Sequence, residues 1–235
     1  MGQDKILVIL PARNEAGAIG KVIDEIKALP IRCGIIVADS DSADGTVKIA
    51  LGKGVIVIAC SRGKGKAVRE ALAQVEADYI FMLDSDYTYP AEYITPMLGK
   101  LRGGKLIPRY DGVYGWRHKL EGGAMTGWHK IGNRLLTWLA NMLYRPIRTH
   151  DLCTGMWGFT GETAEFLSEN LTGDGFTLEA DIFSSLALAG KHMGYVEIDY
   201  RCRLGTKSKL NLWDAKRIAW FLVKRRIIGR WQIKN

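Results

Sequence analysis

The sequence predicts an α/β protein built on a doubly wound, mostly parallel sheet. Three observations carry the prediction. Short continuous apolar runs at 6–10, 35–38, 55–59 and 79–83 read as strands buried on both faces. The segments between them carry helical spacing. Acids, bases and glycines follow each run, on the edge where open parallel sheets bind ligands.

The elements follow in order. After the first run, Ile19, Val22, Ile23, Ile26 and Leu29 recur at spacings of three and four, with Asn14 as the expected N-cap. Segments 44–51 and 64–75 supply the next two crossovers, giving β-α-β-α-β-α-β with right-handed connections. Beyond residue 100, Gly103, Gly104, Gly112, Gly115, Gly122 and Gly123 predict a loop-rich stretch of the kind that forms lids or acceptor loops. Segment 128–144 then reads as an amphipathic helix. Its apolar face holds Trp128, Ile131, Leu135, Leu136, Trp138, Leu139, Met142 and Leu143. The ordinary reading of such a face is core packing, and an interfacial helix on lipid is the alternative. A loop and helix over 174–189, a strand over 194–200 and a helix from residue 211 complete the chain.

Composition narrows the function. With 235 residues, 47% apolar and 25% charged, the chain has the make-up of a soluble globular protein, which disfavours disorder, collagen and a multi-pass membrane protein. The net charge of +8 is uneven: residues 201–235 hold eleven basic groups and one acid, Asp214. A near-neutral body with a basic tail predicts contact with something anionic, either nucleic acid or a membrane face. Cys33, Cys60, Cys153 and Cys202 form no C-x-x-C pair, so reduced, mostly buried thiols are expected. The first residues lack the pattern of a signal peptide and no run is long enough to span a bilayer, so the expected location is inside the cell.

The chemistry lies after the strands. Asp84-Ser85-Asp86 places two carboxylates where a strand frays, a donor set suited to Mg²⁺ or Mn²⁺ bridging a diphosphate. Alone, such a tripeptide is often only a solvated turn. Asp39 closes the second strand and is positioned to accept from a base edge or ribose, whereas Asp44 is the better helix N-terminal acid. Arg13 and Glu15 either flank a nucleotide or, with Asn14, open a helix. Arg62, Lys64 and Lys66, spaced by Gly63 and Gly65, suit a diphosphate. Neither G-x4-G-K-[ST] nor G-x-G-x-x-G is present, which removes P-loop and dinucleotide-dehydrogenase readings.

Together, Leu10-Pro11-Ala12-Arg13-Asn14-Glu15, Ala38-Asp39-Ser40-Asp41-Ser42-Ala43-Asp44-Gly45-Thr46, Arg62-Gly63-Lys64-Gly65, Leu83-Asp84-Ser85-Asp86 and Asp151-Leu152-Cys153-Thr154-Gly155 resemble the ordered motifs of glycosyltransferase family 2. Within it they are most similar to the dolichyl-phosphate hexose synthases, through Ser208-Lys209-Leu210. The resemblance implies a GT-A fold, inversion at the anomeric carbon, a nucleotide-sugar donor, Mg²⁺ or Mn²⁺, and a polyprenyl (dolichyl) phosphate acceptor at the membrane surface. The expected division is a donor-binding half at 1–100 and an acceptor-binding half at 101–210, with 211–235 expected as a basic membrane-associating helix because its apolar run 218–223 is flanked by Lys and Arg. By position, Pro11, Arg13, Glu15, Asp39, Asp41, Lys64 and Asp84 would bind the donor, and Asp84 and Asp86 the metal. Arg109, Arg134, Arg203 and Lys209 would face the substrate phosphates. Two departures stand out: Ser40 replaces the usual second Asp and Arg13 the usual aromatic.

A phosphate monoester with a second pKa of about 6 is already ionised at neutral pH and can attack unaided. The expected burden therefore falls on Arg and Lys that offset repulsion between two anionic substrates. Asp151 is the expected spare carboxylate if a base is used, with Glu179 second. The rival expectations are a same-fold enzyme acting on a glycan hydroxyl and a non-enzymatic basic module for membranes or nucleic acid. The metal-type acids favour the enzymes, so nucleic acid is not an expected partner, and the expected location is the cytoplasmic membrane face.

Overall fold

A computed structural model describes residues 3–104, 108–205 and 212–232. The strands are β1 (Ile6–Ala12), β2 (Gly34–Asp39), β3 (Ile56–Ala59), β4 (Tyr79–Met82), β5 (Gly112–Leu120), β6 (Trp157–Thr160) and β7 (Met193–Tyr200). They form one sheet in the order β3-β2-β1-β4-β6-β5-β7. β1, β2, β3 and β4 are parallel neighbours, β6 runs antiparallel between β4 and β5, and β7 is parallel to β5. Six strands therefore end at one edge, which is the edge that carries the motifs.

The helices are α1 (Ile19–Lys27), α2 (Thr46–Gly52), α3 (Lys64–Leu72), α4 (Ile94–Arg102), α5 (Gly127–Leu143), α6 (Gly161–Asn170), α7 (Leu178–Leu188) and α8 (Leu212–Gln232). They cover the sheet on two faces. One apolar layer joins β1 and β2 to α1 and α4 through Val8, Leu10, Ile19, Ile23, Met97 and Leu101. The other joins the opposite face to α3, α6, α7 and α8 through Ile9, Val68, Trp157, Leu167, Phe183, Ile218 and Leu222. This two-layer burial is what continuous apolar strands require.

Several expectations need correction. β3 is an edge strand with Ile56 63% exposed, so its apolar run is covered on neither face as fully as those of β1, β2 and β4. Asn14 does not cap α1, whose N-cap is Ala18. Its amide donates to Ser42 Oγ at 2.9 Å and its Oδ1 accepts from Ala43 N at 2.8 Å, which ties the β1 loop to the β2 loop. The glycine-rich stretch after residue 100 contains the strand β5, which lies between β6 and β7. A Cβ on Gly115 would lie 2.6 Å from Ile198 and one on Gly112 would lie 3.1 Å from Leu186, so these glycines serve close packing within the sheet layers. The four cysteines are free but only half-buried.

The largest surprise is α5. Five of the eight residues on its expected apolar face point outward: Trp128 is 78% exposed, Leu135 63% and Trp138 63%, with Ile131 and Met142 also exposed. Asn133, Thr137 and Asn141 of the polar side point inward, while His129, Lys130 and Arg134 stay exposed. Each inward polar group has a partner. Thr137 Oγ1 accepts from Leu152 N at 3.1 Å, and Asn141 bonds both the amide and the carbonyl of Thr149. Of the expected apolar face, Leu136 is buried and Leu139 and Leu143 pack against the core. α8 lies beside α5, with Tyr144 Oη donating to Leu222 O at 2.8 Å. α8 also turns Trp213, Trp220 and Ile227 outward. Among the described residues no helix is long and apolar enough to cross a membrane.

Candidate active site

The carboxyl edge of the sheet gathers two mixed clusters of charge. In the first, Lys64 Nζ at the start of α3 lies 2.5 Å from both Asp84 Oδ1 and Glu179 Oε1. The closeness of this packing is visible at three glycines. A Cβ on Gly155 would fall 2.3 Å from Asp84 Oδ2, and Cβ atoms on Gly63 and Gly65 would fall 2.0 Å from the carbonyl oxygens of Asp174 and Gly173. Gly63 also has φ of 116°, a conformation side chains rarely adopt. Burial alone would lower the Lys64 ammonium, but Asp84 and Glu179 outweigh it and raise its pKa. Burial raises the Glu179 carboxyl, against the opposing pull of Lys64.

In the second cluster, Arg203 reaches Glu15 Oε1 at 2.5 Å and Asp86 Oδ2 at 3.0 Å. Arg203 arrives on the strap that follows β7, which is stitched across the edge by Arg201 N to Thr88 O and Leu204 N to Asp86 O. Asp86 Oδ1 accepts from Thr88 N and Thr88 Oγ1, so the carboxylate is fixed on both sides. Burial and the nearby charge of Asp84 raise the Asp86 pKa, while Arg203 and Thr88 oppose them. Between the two acids, Ser85 Oγ donates to Pro11 O at 2.8 Å, locking the end of β4 to the end of β1.

The donor set fits a hard divalent cation. Asp84 and Asp86 repel each other, and the positive groups that balance them, Lys64 and Arg203, are side chains a cation can supplement. Among the described residues no group of three or more His, Cys, Asp or Glu could hold a metal ion. Two carboxylates completed by substrate phosphates and water is the coordination Mg²⁺ commonly takes.

Elsewhere along the edge, Asp39 is buried; its Oδ2 accepts from Ser42 N at 3.1 Å, and its Oδ1 is buried without a hydrogen-bond partner. An unsatisfied buried acceptor is costly, so it is suited to receive a donor from a ligand. Asp41 pairs with Arg62 at 2.8 Å on the surface. Arg13 is exposed in the β1 loop, and Arg134 is exposed on α5. Lys209 lies outside the described residues.

Arg109 requires correction. It precedes β5, at the edge where the parallel strands begin, and its charge acts on Glu162 at the start of α6. The adjacent Asp111 N donates to His192 O just before β7. Arg109 packs beside Gly103 at the end of α4, where an added Cβ would lie 2.9 Å from it, and Tyr110 N donates to Lys100 O, so Arg109 sits away from Asp84 and Asp86.

The arginine on the correct side is Arg117, within β5. Its guanidinium makes two 2.6 Å bonds to the two oxygens of Asp151, and both side chains are almost fully buried. Asn133 from the inward face of α5 donates to Asp151 Oδ1 at 2.8 Å. Asp151 thus has both oxygens engaged, an arrangement that holds a guanidinium in place. Reading 103–123 as loop concealed Arg117. The alternation of Tyr114, Trp116 and His118 around it is the strand signal that would have found it.

Residues 7–165 match the family model described as "Glycosyl transferase family 2". The chain is 35% identical over 190 residues to glycosyltransferase AglJ of Haloferax volcanii, covering 80% of this chain and 60% of that one. It is 31% identical over 205 residues to a dolichyl-phosphate hexose transferase of the same organism, covering 86% of this chain and 85% of that one. A crystal structure of glucosyl-3-phosphoglycerate synthase from Mycobacterium tuberculosis, in complex with Mn²⁺, uridine diphosphate and glucosyl-3-phosphoglycerate, superposes with a TM-score of 0.68 at 21% identity, over 97% of this chain and 80% of that one. That likeness is one of fold, and it agrees with the GT-A arrangement the motifs implied. On the sequence matches, the chain belongs to glycosyl transferase family 2.

Proposed function

We propose that the protein is an inverting glycosyltransferase that moves a hexose or N-acetylhexosamine from a UDP- or GDP-linked donor to polyprenyl (dolichyl) phosphate. It would work as a peripheral protein on the cytoplasmic face of a membrane. The observation that carries the acceptor is α5. One side of this helix presents Trp128, Leu135 and Trp138 to the outside, while the other holds Asp151, and through it Arg117, by way of Asn133. A lipid chain and its phosphate need adjacent apolar and cationic groups, and α5 carries its own exposed Arg134 beside those outward residues.

In this reading Asp39 accepts from the nucleotide base, and Lys64 offsets diphosphate charge. Asp84 and Asp86 hold Mg²⁺ or Mn²⁺, which when bound supplies Lewis-acid neutralisation of the leaving diphosphate. Arg134 and Lys209 would meet the acceptor phosphate, with the buried Arg117–Asp151 pair beneath α5. Arg203 balances Glu15 and Asp86 so that both carboxylates stay in place. The acceptor oxygen forms a bond to the anomeric carbon as the bond to the diphosphate oxygen breaks on the opposite face. No proton needs to move, so Asp151 orients Arg117 and is not asked to act as a base. The dolichyl-phosphate hexose transferase relative supports the acceptor, and the Mn²⁺ and uridine diphosphate of the crystallised neighbour support the metal and nucleotide.

The test is incubation with Mn²⁺ or Mg²⁺, labelled UDP- and GDP-sugars and dolichyl phosphate. Metal-dependent label in the organic phase is expected. Label appearing only on an added glycan would replace the acceptor assignment with the hydroxyl alternative.

A further inference from the structure

Arg225 lies on the inward face of α8, one turn beyond the buried Leu222. It is the C-terminal helix's one described basic side chain that reaches a fully buried acid: Arg225 Nε stands 3.7 Å from Asp181 Oδ1 on α7. The same guanidinium donates to Asn170 O at 2.7 Å, Ser185 Oγ at 3.0 Å and Thr172 Oγ1 at 3.4 Å. Asp181 in turn accepts, on Oδ2, the amides of Thr172 at 2.6 Å and Gly173 at 2.7 Å. A single arginine therefore fixes both the end of α6 and the turn that leads into α7.

That turn bears directly on the active-site edge. The carbonyls of Gly173 and Asp174 lie so close to Gly65 and Gly63 that neither position has room for a Cβ. Asp174 also faces Lys66 at 3.8 Å. Lys64 stands between the two glycines and spans Asp84 and Glu179. A displacement of residues 172–174 by even an ångström has no gap to absorb it, because backbone meets backbone.

We infer that Arg225 and Asp181 are positioning residues for Lys64, so that the C-terminal helix sets the geometry of the phosphate-facing loop through the 172–174 turn. The contacts stand whatever the substrate; the effect on nucleotide binding rests on the function proposed above. Removing Arg225 leaves Asp181 as a buried carboxylate held only by backbone amides and Ser185, which favours loosening of the turn. A purely structural role would loosen α8 alone. Positioning requires that the change reach residues 61–66 in a different part of the chain.

The experiment is hydrogen exchange on the full chain, comparing wild type, Arg225→Ala, Arg225→Lys and Trp220→Ala, the last on the outward face of the same helix. The expected result for Arg225→Ala is exchange about tenfold faster at Thr172 and Gly173, and also at Ser61 and Gly63, with β1 and β4 unchanged. Ser61 and Gly63 are informative because their amides are hydrogen-bonded to Glu70 and Ser40. Arg225→Lys keeps the charge without the fork and is expected to give the same pattern with smaller amplitude, which retains the test if the alanine variant does not fold. Trp220→Ala is expected to leave both segments unchanged. Faster exchange confined to α8, or equal effects of Arg225→Lys and Trp220→Ala on residues 61–66, would overturn the inference. Titration with UDP and with GDP in Mn²⁺ is expected to show about tenfold weaker binding for Arg225→Ala. If wild type binds neither nucleotide, the functional reading falls, while the exchange result still decides the positioning role.

Discussion

α1 and α5 are both amphipathic, yet they meet the protein differently. α1 buries Ile19, Val22, Ile23 and Ile26 against the sheet. α5 exposes Trp128, Ile131, Leu135, Trp138 and Met142 and turns Asn133, Thr137 and Asn141 toward the protein. The difference lies in what each helix covers. α1 covers apolar strand faces, whereas α5 covers a site whose buried Asp151 and Arg117 need polar partners. A helix pattern therefore reports that two environments exist, and the neighbouring chemistry decides which of them is the interior.

The comparison yields a ranked set of expectations. The largest effect is expected at the edge that α1 and the strands support. Asp86→Asn should reduce sugar transfer by about a thousandfold, measured in the labelled assay, with vesicle binding unchanged. Simultaneous loss of transfer and vesicle binding would break the division of labour between the strand-end edge and α5. Next comes the pair beneath α5. Asp151→Ala leaves the buried Arg117 uncompensated and should cost about 3–5 kcal/mol in chemical denaturation, because breaking a buried pair exposes the full penalty of the remaining charge.

The two helices can then be compared directly. Ile23→Ala in α1 should destabilise by about 2–5 kcal/mol, whereas Leu135→Ala in α5 should stay within about 0.5 kcal/mol. Equal costs at the two positions would mean that the outward face of α5 is covered by protein. The smallest effect is a pH dependence in the β2 loop. Burial acts to raise the Asp44 carboxyl, but hydrogen bonds from Thr46 and Ala16 prevail and lower it. A depressed folded pKa contributes stability that is present above the ordinary aspartate value of about 3.9 and is lost as pH falls through the lower folded value. Asp44→Asn should flatten that acid limb of a thermal-unfolding series.

The same contrast explains what was legible in the sequence. β1, β2 and β4 were readable because strands buried on both faces leave unbroken apolar runs, and the acids after them could be placed by counting to the strand end. Lys64, Asp84 and Asp86 meet at that edge for this reason, together with Glu15 and Arg203. The second half resisted because β5 and β6 contain glycines that read as breaks. Gly115 and Gly158 instead admit Ile198 and Phe81, whose side chains would come within 2.6 Å and 2.5 Å of an added Cβ. Reading this stretch as loop hid Arg117, while motif position alone placed Arg109 at the substrate phosphates. No local pattern reveals that α5 turns Asn133, Thr137 and Asn141 inward, since their partners Thr149, Asp151 and Leu152 follow the helix in the chain and meet it only in the folded protein.

The central proposal is that α5 would join a lipid surface to the acceptor site, and depth-dependent quenching of tryptophan fluorescence tests it most directly. The protein would be mixed with anionic vesicles containing phospholipids brominated along the acyl chain, and wild type compared with Trp128→Phe and Trp138→Phe. The account predicts strong quenching in wild type that falls when either tryptophan is removed. Binding to the vesicles with the quenching unaltered by both substitutions would contradict it.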